Sequence, residues 1–174
     1  MFCTNSVAWL YRADRNFTWD SGIAIAQDQV FLDAKGKVRL IIETSGRLTV
    51  TQGYSWNGCS PKFCFFDLLL GTPDGVVDKQ TGRPKTYFAS MVHDALYQFL
   101  RVDSPISRRQ ADGCFLRLMG SAGFSLRYIY WLAVRMFGWL VWTGKRIKRG
   151  WNGQRRIVGE SLPRSERTPD LSRP

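Results

Sequence analysis

VRLIIETSGRLTVT, residues 38–51, is the stretch from which the fold can be read. Two short runs rich in Val, Ile, Leu and Thr, residues 38–43 and 47–51, flank Thr44-Ser45-Gly46-Arg47. Gly46 supplies the positive φ that a tight hairpin turn demands, so the pair predicts two antiparallel strands. Immediately upstream, Ala34-Lys35-Gly36-Lys37 has the same turn chemistry. Residues 7–12 and 17–25 are further short runs of β-formers with Trp, Tyr and Phe. The first sixty residues therefore predict an antiparallel sheet of three to five strands.

The pattern changes downstream. Residues 53–84 are punctuated by Gly53, Gly58, Pro61, Gly71, Pro73, Gly75, Gly82 and Pro84, which predicts an irregular segment. Residues 85–101 place Phe88, Met91, Val92, Leu96, Phe99 and Leu100 at helical spacing. Ser104-Pro105 reads as an N-cap followed by Pro at the first helical position, opening a helix that runs to about Met119 and is stopped by Gly120. A third, aromatic helix covers residues 124–143. The fold class is α+β: an N-terminal antiparallel β-sheet followed by a three-helix C-terminal half and a basic tail. One domain spans residues 1–150, mainly strands over 1–60 and mainly helices over 85–143, with a polar tail at 151–174.

Composition narrows the function classes. The chain has 174 residues, 44% apolar, with a formal charge of +11, which describes a folded basic protein rather than a disordered one. Residues 143–174 hold nine basic residues against three acidic ones. A basic end attracts phosphates, on lipid head groups or on nucleic acid. The four cysteines, Cys3, Cys59, Cys64 and Cys114, form no C-x-x-C pair, and there is a single histidine. That argues against structural zinc and fits a reducing compartment. The N-terminus has no basic segment leading into an apolar one, so a secretory signal peptide is not expected. Arg127 and Arg135 interrupt the aromatic segment. Each costs about 3 kcal/mol at mid-bilayer, so an amphipathic helix, on a core or a membrane surface, is expected instead of a spanning one.

The concentrated chemistry is His93-Asp94-Ala95-Leu96-Tyr97, with Arg109 and Asp112 on the following helix. His93, Asp94 and Tyr97 fall on adjacent parts of one helix surface. If the two helices pair antiparallel, Asp112 faces His93. A carboxylate there would orient the imidazole and leave its other nitrogen as a general base. Asp94 could bind a hard cation together with loop carbonyls. Asn57 and Ser60, in Trp56-Asn57-Gly58-Cys59-Ser60-Pro61, present short polar groups after a strand and are candidate binding residues. A polar cluster satisfied at the edge of a core would have the same residues.

Two resemblances rest on these motifs. Trp56, Asn57, Gly58, Ser60 and Pro61, then His93, Asp94 and Tyr97, then Arg109, Ala111, Asp112 and Phe115, and finally Gly138, resemble an uncharacterised phage and bacterial family known as domain of unknown function 1353. That family usually has Asp where this chain has Asn57. The resemblance implies a phage or prophage setting, hence the host cytoplasm or the virion. More locally, His93-Asp94-x-x-Tyr97 with Asp112 is similar to the catalytic helix pair of phospholipases A2. It implies His93 as base, Asp112 as its orienter, Tyr97 as supporting donor and Asp94 as a calcium ligand. The expected reading is a phage-type accessory or virion protein with a His-Asp hydrolytic site, acting with other phage or host proteins in an oligomer or assembly. Its alternatives are a calcium-dependent hydrolase at an anionic membrane surface, and a nucleic-acid binder using the basic tail.

Overall fold

The computed structural model describes residues 11–58, 63–65, 68–70, 77–100, 105–143 and 154–157. Its strands are β1 (Tyr11–Arg12), β2 (Phe17–Asp20), β3 (Gln29–Leu32), β4 (Val38–Ile42), β5 (Arg47–Val50), β6 (Ser55–Trp56), β7 (Phe63–Phe65), β8 (Leu68–Leu70) and β9 (Gln154–Ile157). The helices are α1 (Tyr87–Leu100), α2 (Arg108–Ser121) and α3 (Arg127–Thr143). Strands precede helices, as expected of an α+β chain, and β9 returns to the sheet after α3.

The 38–51 hairpin is in place. β4 and β5 pair antiparallel with Leu40 opposite Val50 and Ile42 opposite Leu48, and Gly46 turns with φ +85°. A Cβ at Gly46 would lie 2.8 Å from the Ile23 backbone nitrogen, so the turn needs glycine for space as well as for φ. The second turn is held by Asp33, whose carboxylate accepts from the Lys35 and Lys37 backbone N–H groups and from Arg39 Nε at 2.8 Å. The large sheet runs β2-β5-β4-β3-β9. Two small antiparallel pairs, β1-β6 and β7-β8, lie apart from it.

Three expectations are corrected. The strand over 17–25 ends at Asp20, and a new strand, β3, begins at Gln29. Gly22 takes φ +61°, its N–H bonds the Asp20 carboxylate (2.9 Å) and Ser21 Oγ donates to the Gly46 carbonyl (2.5 Å). Side-chain bonds of this kind replace ladder bonds with a turn. Ile23 and Ile25 still pack on the core, which is why their alternation imitates a strand. Second, the segment 53–84 contains β6, β7, β8 and a bridge between Val77 and Pro84. Third, α2 is capped by Ser107. Its Oγ accepts from the Gln110 N–H (3.3 Å) while Gln110 Oε1 accepts from the Ser107 N–H (2.8 Å). A reciprocal box needs Gln or Glu three residues after the cap, and Ser104, outside the described residues, has Ser107 there instead. At the other end α2 passes through Gly120 to Ser121, and Gly123 takes the positive φ. Ser107→Ala is expected to lower the unfolding free energy by about 1 kcal/mol in urea titration; an unchanged midpoint would mean that the box does not hold this helix end.

The core forms where α1 lies on the sheet. Phe31, Leu40, Ile42, Leu48 and Val50 meet Met91, Val92, Leu96 and Phe99, all fully buried. Trp56 joins the two parts. It is fully buried, stacks on Tyr11, meets Tyr87 edge-on, and its Nε1–H donates to Ser90 Oγ (3.1 Å). α2 packs on α1, and α3 on α2. Among the described residues no helix is long and apolar enough to cross a membrane.

Candidate functional site

α1 and α2 are antiparallel neighbours, since His93 meets Asp112 and Phe115 while Tyr97, one turn later, meets Asp112 and Arg108. Spacing of four on α1 puts His93 and Tyr97 in ring contact, centroids 4.2 Å apart. Both reach across to Asp112, whose side chain is completely buried. His93 Nε2 lies 3.0 Å from Asp112 Oδ1, and the Tyr97 hydroxyl donates to the same oxygen at 2.5 Å. Asp112 Oδ2 takes Arg135 Nη1 at 3.1 Å, with Arg108 Nε at 3.7 Å. Arg108 also donates to the Tyr97 hydroxyl (3.1 Å) and to the Val134 and Arg135 carbonyls (3.2 and 2.6 Å). One buried carboxylate thus ties three helices together.

The electrostatics follow from this arrangement. Burial alone would raise the Asp112 carboxyl, but hydrogen bonds from His93, Tyr97 and Arg135 outweigh it and hold Asp112 below the usual carboxylate range. Burial likewise pushes His93 down, and the Asp112 and Asp94 carboxylates more than reverse that, so His93 stands above the ordinary histidine value. Burial and the bond to Asp112 push the Tyr97 hydroxyl well up. An ionised Asp112 can only accept. Neutral His93 must then carry its proton on Nε2, leaving the Nδ1 lone pair as the basic position.

Nδ1 faces Asp94, 3.9 Å away, and a third of the Asp94 side chain is open to solvent. Partial burial raises the Asp94 carboxyl, opposed by His93 and by the Asn57 backbone N–H. The Tyr54 hydroxyl, buried and within the field of Asp94, is pushed up as well. Neither Tyr54 Oη nor Asn57 Oδ1 has a hydrogen-bond partner although both are buried. β6, pinned to α1 through Trp56, is what carries Asn57 to Asp94.

Of the residues expected at the site, His93, Asp94, Tyr97, Asp112 and Asn57 come together here. Ser60 lies outside the described residues. Arg109 is exposed, and its neighbour Arg108 is the arginine that reaches the cluster. Arg108 and Arg135 were missed by sequence reasoning. Arg108 stands four residues before Asp112, which is ion-pair spacing, and Arg135 is a lone cation deep in an apolar helix. Asp94 is the expected metal ligand, yet among the described residues no group of three or more His, Cys, Asp or Glu side chains is placed to hold a metal ion. A separate cavity of about 130 Å³ is lined by Ala13, Asp14, Arg15, Phe17, Tyr87, Phe88 and Met91, none of them in the His93 cluster.

Residues 76–134 match the model of a family described as Protein of unknown function (DUF1353). The match spans about a third of the chain. The DUF1353 match covers α1, α2 and the first half of α3, and so holds His93, Asp94, Tyr97, Arg108 and Asp112, stopping one residue before Arg135. It does not extend to Trp56, Asn57 and Gly58, which also entered the resemblance. No curated protein and no solved structure matches the chain, so the likeness to phospholipases A2 remains the residue pattern alone.

Proposed function

We propose that the DUF1353 segment is a hydrolytic site in which His93 is the general base, within an accessory protein of phage type. The observation that carries this reading is the bond between His93 Nε2 and the buried, ionised Asp112 (3.0 Å), which sets the tautomer and aims Nδ1 at the partly open Asp94 side. In the proposed step Nδ1 takes a proton from water, the water oxygen attacks an ester carbonyl or phosphoryl centre, and the proton passes from His93 to the leaving alkoxide. Tyr97 and Arg135 hold Asp112 and act on the reaction through it. The phage setting is supported by the motif resemblance.

The test pairs kinetics with titration. Carboxylic and phosphoric ester panels are presented to wild type and His93→Gln, whose amide can still donate to Asp112. A rate at least ~100-fold lower in a natively folded His93→Gln is expected. Wild-type rate should climb with pH through the His93 pKa, above 6.5. His93 is the sole histidine, so its NMR titration reads that value without assignment. A histidine titrating below 6.5, or a rate untouched by His93→Gln, sinks the proposal. A second reading, a structural knot, is favoured by the complete burial of Asp112; it expects the same substitutions to move stability and no rate.

A further inference from the structure

α3 offers a surface that the His93 cluster does not use. Tyr128, Ile129, Leu132 and Met136 are exposed by 60, 63, 53 and 61%. At 100° per residue they fall within an arc of about 100° on one side of the helix. Tyr130 and Val134, on the other side, are buried in the core. A contiguous apolar stripe of this kind marks an interaction surface. Arg127 sits over the Tyr128 ring at 4.9 Å, placing a cation at the edge of the stripe. Arg135 is taken by Asp112.

The sequence around α3 is one-sided in charge. From Gly113 to Gly159 the sequence has nine Lys and Arg residues and no Asp or Glu, and Lys145, Arg146, Lys148 and Arg149 directly follow α3. We propose that this face of α3 docks on the surface of an anionic lipid bilayer, with Ile129, Leu132 and Met136 entering the acyl boundary and Arg127 at its edge meeting lipid phosphates, in a chain whose net charge of +11 favours an anionic surface. A second copy of the chain fits less well, because it carries the same net charge of +11 and is repelled where an anionic surface is attracted. A nucleic acid would take the charges and leave the aliphatic side chains without a partner. None of these side chains belongs to the His93 cluster, so the docking face is independent of whether His93 is a base.

Vesicle co-sedimentation of the full chain tests it. Vesicles of phosphatidylcholine with about a third phosphatidylglycerol are compared with phosphatidylcholine alone, at low and high salt, beside a DNA duplex and gel filtration. Wild type is expected to bind the anionic vesicles, weakly the neutral ones, and less in high salt. The triple variant Ile129→Ser, Leu132→Ser, Met136→Ser should partition at least ~tenfold less while keeping its circular dichroism, since all three positions are exposed. Absence of binding to anionic vesicles overturns the proposal. So does binding unchanged in the triple variant, which would reduce it to charge attraction. A dimer abolished by the triple variant would assign the stripe to a second copy instead, and duplex binding without vesicle binding would assign the charges to nucleic acid. Should the triple variant unfold, wild type alone decides, through its dependence on lipid charge and salt.

Discussion

Asp112→Ala is expected to lower the unfolding free energy by about 3–5 kcal/mol, because it strands the groups that a buried carboxylate satisfies. His93 Nε2, the Tyr97 hydroxyl and Arg135 Nη1 lose their acceptor together, and Arg108 loses the charge 3.7 Å from its Nε. Asp112→Asn keeps the shape and one acceptor oxygen and should cost less. The pH dependence has a definite sign. Asp112 is depressed in the fold, so its contribution is present above the ordinary carboxylate pKa and is lost as pH falls through the lower folded value. His93 is raised, so its contribution is complete below about 6.5 and is lost as pH rises through the folded value. Wild-type stability should therefore be greatest between these limits, and Asp112→Ala should flatten the acid limb. The His93 pKa should also fall in that variant, because burial is then opposed by Asp94 alone. Urea titration from pH 3 to 8 and the single histidine resonance measure both. A cost below ~1 kcal/mol with an unshifted histidine would falsify the knot as drawn.

Trp56→Ala is expected to cost a similar ~3–5 kcal/mol, for a different reason: it empties a large volume in a packed core. The ring is fully buried among Tyr11, Tyr54 and Tyr87. Its Nε1–H is a donor to Ser90 Oγ, which itself donates to the Tyr87 carbonyl (3.0 Å). Trp56→Phe should retain most of the packing and lose that bond, for roughly 1–2 kcal/mol. The two variants also separate stability from placement. Asn57 follows Trp56 directly, so Trp56→Ala should shift the Asn57 backbone amide in an NMR correlation spectrum and, with it, Asp94. An Asn57 amide unmoved in a folded Trp56→Ala chain would show that β6 is positioned by something other than this ring.

The site was half visible from residue order. His93, Asp94 and Tyr97 share a helix face by spacing alone, and Asp112 on the next helix is the acceptor that an antiparallel pair brings opposite. The arginines were not visible. Arg108 and Arg109 are adjacent, 100° apart around α2, and only the rotation of that helix against α1 and α3 decides which one turns inward. Arg135 looked like a reason for α3 to avoid a bilayer; in the fold it is the partner of a carboxylate twenty-three residues upstream.

What the sequence determined by itself is local. Gly36 and Gly46 set two hairpin turns because few other residues take positive φ, and apolar spacing set α1 and its core face. The ends of elements were legible only where a side chain marks them, as with Ser107 and Gln110 closing a box. The break after Asp20 was hidden because Ile23 and Ile25 continue the strand period while the hydrogen bonds do not. Tertiary structure decided the rest: which carboxylate is buried, which arginine meets it, and that β6 carries Asn57 to Asp94. Those outcomes depend on helix rotation and long-range packing, which a period of 2 or 3.6 residues does not encode.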